Sequence, residues 1–180
     1  MNKLKRLVII ALLTAVALSL SYLESFIPIF IPGVKLGLAN IIILIMIYEF
    51  KFYEAFVADI LRILLVALIR GTFLTPVFFM SLSGGIISFI MMLLISKLKI
   101  FTAIGVSAIG SIAHSFGQLL IATFLISSEA VLYYLPFVAI LSLLTGIISG
   151  ILADIYLRRN ITNKFLNVKI YYKAIDSESE

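Results

Sequence analysis

The sequence predicts an all-α, polytopic membrane protein of six transmembrane helices. Three observations carry that reading. Of 180 residues, 63% are hydrophobic and only 13% charged, whereas a soluble domain is nearer half apolar and a quarter charged. The mean hydropathy of +1.22 leaves 14 basic and 9 acidic side chains to wet far more apolar surface than they can cover. The apolar residues also recur as long runs, and every Lys and Arg but Arg62 lies between the runs or at the two ends. These features exclude a soluble globular enzyme and a disordered chain. No strand-like alternation appears, which argues against a β-barrel.

A helical span needs about 20 mostly apolar residues, and six runs approach that length. The first covers 7–23, behind Lys3, Lys5 and Arg6. It resembles a secretory leader, but cleavage would leave five spans and set one tail against the charge bias, so it is read as a retained helix. The second covers 36–48 and is short. The third covers 52–69, after Lys51, and the fourth 76–95, opened by Pro76. The fifth covers 100–126, after Lys97 and Lys99, and the sixth 133–157. The chain divides into a membrane domain, 1–157, and a tail, 158–180, which is basic and then acidic. With six spans, the basic clusters share one side, and the only basic residues opposite are Lys35 and Arg70, where the acidic Glu129 also falls. Lys and Arg favour the cytoplasmic side, which predicts that both termini are cytoplasmic. The basic residues are read as orienting the chain, and no nucleic-acid partner is expected.

Ionisable groups at bilayer depth are costly unless paired or wetted, so each one needs a reason. Asp59 and Arg62 are three apart, hence on one helical face. They form either a self-neutralising ion pair or a ligand or proton site. Arg62 has five N–H donors, and those a carboxylate leaves over could meet an anionic ligand. His114 and Gln118 are four apart, beside Ser107, Gly110, Ser111 and Gly117. This stripe either packs against another helix or lines a cavity. Small polar stripes recur at Ser81, Gly84, Gly85 and Ser88, and at Ser142, Thr145, Gly146, Ser149 and Gly150. Between the first two spans, Pro28 and Pro32 break an apolar segment flanked by Glu24 and Lys35. Proline disrupts helix there, so the segment is expected to lie on the bundle as a lid. Asn40, just beyond it, is expected to point at whatever the lid covers. Candidate ligand contacts are therefore Lys35, Asn40, Arg62, His114 and Gln118.

Chemistry is conspicuous by its absence. There is no cysteine, which excludes zinc-thiolate and iron–sulfur sites. There is no nucleotide-binding lysine loop and no HExxH. The three aspartates stand apart, at 59, 154 and 176. A chain-elongating prenyl transferase needs clustered carboxylates to hold magnesium against a diphosphate, so this chain cannot catalyse that reaction alone. No catalytic residue, metal or cofactor is expected.

Four ordered segments carry a resemblance: GVKLGLAN at 33–40, LRILLVALIRGTFLTP at 61–76, SLSGGIIS at 81–88, and GVS at 105–107 running on to AHSFGQ at 113–118. They resemble the bacterial membrane family called Gx transporters, also labelled heptaprenyl diphosphate synthase component I. One departure is Ser115, where that family more often has Asn. The family is in turn similar to the S-components of energy-coupling-factor transporters. That resemblance implies six helices, a small molecule bound beneath the first loop, and docking through an AxxxA pair on the first helix. Ala11 and Ala15 fit that spacing. The implied partners are a coupling membrane protein and separate ATPases. The sequence thus leads first to a non-catalytic subunit that binds and imports a small molecule. A second reading is an accessory subunit of prenyl diphosphate synthesis, with a catalytic synthase as partner. A proton pathway through Asp59 and His114 ranks last.

Overall fold

The computed structural model describes residues 3–26, 37–126 and 133–159. Six helices follow one another: α1 (Lys3–Glu24), α2 (Leu38–Glu49), α3 (Phe52–Ile69), α4 (Pro76–Leu98), α5 (Ala103–Ile126) and α6 (Leu135–Arg158). No strand occurs among the described residues. Each helix answers to one of the six apolar runs. Four of them, α1, α4, α5 and α6, are long and apolar enough to cross a membrane. The 12-residue α2 is too short for that, and the 18-residue α3 carries Glu54, Asp59 and Arg62. The Pro28–Pro32 lid and the tail beyond Arg159 lie outside the described residues.

The breaks between helices have local causes. Lys51 is extended, and its N–H donates to Glu54 Oε2 at 2.9 Å, which opens α3. After α3 the chain turns through Gly71, at φ 63°, and Leu74, at φ 61°. Thr75 Oγ1 then donates to the Thr72 carbonyl at 2.6 Å, and Pro76 begins α4. Proline suits a first helical turn because its missing N–H would be unpaired there. Lys99 takes the left-handed conformation, φ 57°, and closes α4. Pro136 lies in the first turn of α6.

Glycine sets how the last three helices meet. A Cβ on Gly117 would lie 2.9 Å from the Ser83 carbonyl and 3.0 Å from Gly84 Cα. On Gly146 it would lie 2.9 Å from Ala108 Cα, and on Gly150, 2.6 Å from Ile104 Cα. These are backbone atoms, so α5 touches α4 and α6 at distances only glycine allows. The Ser83 hydroxyl donates to the Gly117 carbonyl at 2.6 Å, and the Ser115 and Ser142 hydroxyls are 2.5 Å apart. The same contacts fix direction, with early α5 beside late α6 and, through Gly110 and Met92, beside late α4.

The first three helices are tied by polar side chains instead. Arg6 grips Glu54 with two bonds, Nε to Oε1 at 3.0 Å and Nη2 to Oε2 at 2.6 Å. This sets the start of α1 beside the start of α3. Consequently Lys3, Lys5, Arg6, Lys51, Lys97, Lys99, Arg158 and Arg159 gather at one end of the bundle. The large apolar side chains of α1, α3, α4 and α6 point outward: Leu7, Leu12, Leu61, Leu68, Ile90, Leu94, Ile140 and Ile148 are all exposed. Such a surface suits lipid rather than water. By contrast α2 packs against every other helix, and seven of its twelve residues are buried. Ile43, Leu44 and Met46 sit with Phe89, Met92, Val106 and Leu157 in the main core.

Candidate functional site

The buried polar residues form three neighbouring groups. The first joins α1 and α3. Arg62 Nε donates to Asp59 Oδ1 at 3.1 Å, Nη2 donates to the same oxygen, and Nη1 donates to Ser21 Oγ at 2.8 Å. The pair therefore closes within α3, at three-residue spacing, and Arg62 turns its remaining edge toward α1. Asp59 and Arg62 are 1% and 7% exposed, so two charges are withdrawn together from solvent. Three of the guanidinium's five N–H groups are thus already taken up inside the protein.

The second group joins α4 and α5. Gln118 Nε2 and His114 Nε2 lie 3.1 Å apart. With the amide donating, the imidazole nitrogen accepts. Both side chains are buried and fill the space left by Gly84. A Cβ there would lie 2.8 Å from Gln118 Cγ and 3.1 Å from His114 Nε2. The next residue, Gly85, faces α3 instead: its Cβ would lie 2.5 Å from Ile63 Cδ1 and 3.5 Å from Asp59 Oδ2. Two consecutive glycines on α4 therefore receive the His114–Gln118 pair on one side and the Asp59–Arg62 pair on the other.

The third group surrounds the start of α2. Gly37 has φ 74° and caps the helix, a conformation that glycine adopts without strain. Its N–H donates to Glu24 Oε1, at the end of α1, at 2.7 Å. Its carbonyl accepts from Asn40 N at 2.9 Å and lies 3.5 Å from Ser149 Oγ. A Cβ on Gly37 would have Ser149 Oγ, Asn40 Nδ2 and Ser111 Oγ within 3.6, 3.8 and 3.9 Å. Ser149 lies nine residues before the end of α6, about 14 Å at the helical rise. α2 therefore starts inside the bundle and not at its rim.

The candidate contacts do not converge on one point. Asn40 belongs to the group at Gly37, Arg62 to that at Asp59, and His114 and Gln118 to that at Gly84. Lys35 lies outside the described residues. Ala11 and Ala15 are exposed on the outward face of α1, with Ser19 one turn further along. The partner that sequence reasoning left out is Glu24. Its signal was an acidic residue ending an apolar run with no basic residue three or four positions before it in that run.

A family model described as heptaprenyl diphosphate synthase component I matches residues 13–156. The chain belongs to that family. The match takes in four helices whole, α2 to α5, and all but the first ten residues of α1 and the last two of α6. All three polar groups fall within it. Neither a curated protein nor a solved structure matches the chain.

Proposed function

We propose that the chain is the membrane-embedded, non-catalytic component of a two-part prenyl diphosphate synthase, and that it holds a soluble catalytic subunit at the membrane. The family match over residues 13–156 carries this reading. Two further features support it. Three separated aspartates cannot supply the magnesium-holding cluster that prenyl transfer requires, so catalysis falls to a partner. The His114–Gln118 and Asp59–Arg62 pairs fill close helix contacts, as a structural scaffold requires. In this reading six spans cross the cell membrane, with α2 and α3 sheltered by their neighbours. Both termini and the eight-cation end face the cytoplasm, following the positive-inside bias. Detergent extraction should recover the catalytic synthase subunit with this chain, and deleting the chain should abolish long-chain product. A synthase that makes the same product length and yield without it refutes the proposal.

A second reading, a small-molecule uptake subunit, draws on the buried polar atoms that converge at Gly37. Lys35, Asn40, Arg62, His114 and Gln118 would contact the ligand, and Ala11 and Ala15 would meet a coupling membrane protein driven by ATPases. Alanine at Asn40 and Arg62 should then weaken binding of any ligand found to co-purify. Wild-type affinity in both variants would remove these contacts.

A further inference from the structure

An excess of positive charge gathers where α1 and α3 begin. Glu54 accepts from Arg6 Nε at 3.0 Å and Nη2 at 2.6 Å, and its Oε2 also accepts the Lys51 N–H at 2.9 Å. One carboxylate thus draws the first turns of both helices together. Lys3 lies three residues before Arg6, on the same face of α1, and Lys5 is the residue next to it. Lys3, Lys5 and Lys51 are all exposed. Four cations therefore share this corner with Glu54. The nearby Glu49 is buried in the bundle, so the excess stays positive.

The corner opens sideways, onto the apolar surface of the bundle. Lys51 Nζ lies 5.7 Å from the centre of the Tyr53 ring. Tyr53 heads a row with Val57, Leu61 and Leu65, four residues apart and all exposed, so they share one outward face of α3. The exposed Phe52 meets Tyr53 edge to face, with ring centres 6.0 Å apart. On α1, Lys5 heads a similar row, with Val8 and Leu12 three and seven positions on, both exposed. Cations at the head of lipid-facing rows can hold their ammonium groups at headgroup depth while their stems lie on apolar surface. Lysine clusters beside a membrane helix attract anionic lipid, and a phosphate oxygen accepts charge-assisted bonds from ammonium. A choline head brings its own cation and forfeits part of that attraction. A soluble acidic protein would approach the end of the bundle, whereas these rows run down its side.

We infer that the corner between α1 and α3 binds an anionic phospholipid of the adjacent leaflet. Lys3, Lys5 and Lys51 meet its phosphate head, and the Tyr53 and Lys5 rows meet its acyl chains. The site is independent of the synthase-subunit reading, because no partner protein contributes to it.

The test uses the full chain in nonionic detergent and its thermal unfolding midpoint. Phosphatidylglycerol should raise the midpoint by about 2–4 °C more than phosphatidylcholine with the same acyl chains. Lys51→Gln should lose most of that increment, and so should Lys3→Gln combined with Lys5→Gln. Lys97→Gln removes one charge at the α4–α5 turn and should keep it. Inorganic phosphate and polyglutamate at matched charge should give no increment. The proposal is overturned if phosphatidylglycerol adds nothing in the wild type. Equal losses in Lys51→Gln and Lys97→Gln also overturn it, since they trace the effect to the general charge of this end. A polyglutamate increment as large as that of the lipid assigns the corner to an acidic protein instead, and an equal inorganic phosphate increment assigns it to a free anion. Should Lys51→Gln fail to fold, the Lys3→Gln, Lys5→Gln chain is compared with Lys97→Gln in its place.

Discussion

The two halves of the bundle are held together in different ways. In α4, α5 and α6, backbone meets backbone across Gly117, Gly146 and Gly150, and hydroxyls bridge what remains. In α1, α2 and α3, long side chains span the gaps: Arg6 to Glu54, Arg62 to Ser21, and Glu24 to Gly37. Lipid offers no hydrophobic drive for helices to associate, so contact must come from close packing or polar bonds. Glycine contacts fix distance and permit no adjustment. Side-chain bridges hold partners at arm's length and can be broken and remade. The two halves are therefore distinguishable by how they are joined.

The largest effect should come from the side-chain-bridged half. Arg62→Ala strands a buried Asp59 carboxylate and should cost about 3–5 kcal/mol, read as a lowered midpoint for thermal unfolding in detergent. Replacing both partners with apolar residues of similar size, Asp59→Leu with Arg62→Met, should recover most of that loss. Failure to recover would show that the pair has a task beyond neutralising itself. In the glycine-joined half, Gly150→Val forces a side chain onto Ile104 backbone and should cost about 1–3 kcal/mol by overpacking. Gly85→Ala clashes with the Ile63 Cδ1 tip, 2.5 Å away, and otherwise meets ordinary contacts, so it should cost clearly less. Equal losses at Gly85 and Gly150 would erase the proposed difference between the halves. Ser115→Ala removes one hydroxyl bond to Ser142 and should cost about 0.5–1.5 kcal/mol. The smallest change belongs to Arg6→Gln, since this partly exposed pair should contribute roughly 0.2–1 kcal/mol. That contribution should shrink as salt is added.

Much of this architecture is legible in the sequence. The third run, 52–69, coincides with α3 at both ends, because Lys51 and the Arg70–Gly71 turn punctuate it. The spacing of Asp59 and Arg62 foretells their pairing, since one turn brings both to the same face. The spacing of His114 and Gln118 likewise puts both on one face, while their hydrogen bond to each other goes beyond what the stripe alone implied. What fills the other side of each pair is not local. Gly84 and Gly85 lie more than twenty residues from their occupants on the adjacent helices, and a sequence reports that glycine permits approach without saying to what. The Glu24–Gly37 bond spans thirteen positions across two prolines, where helical periodicity gives no guidance. The division of the candidate contacts among separate groups is hidden from the sequence for a related reason. Hydropathy places a residue at a depth, but the tilt and order of neighbours decide which residues meet at that depth.

The brevity of α2 has a consequence for biogenesis. Twelve helical residues reach about 18 Å, well short of a hydrocarbon layer of about 30 Å, yet this element precedes α3 to α6 in the chain. Its eventual neighbours are made after it. Its packing against α3 to α6 must therefore await their synthesis. It becomes the keystone, set in place after the arch around it has been raised.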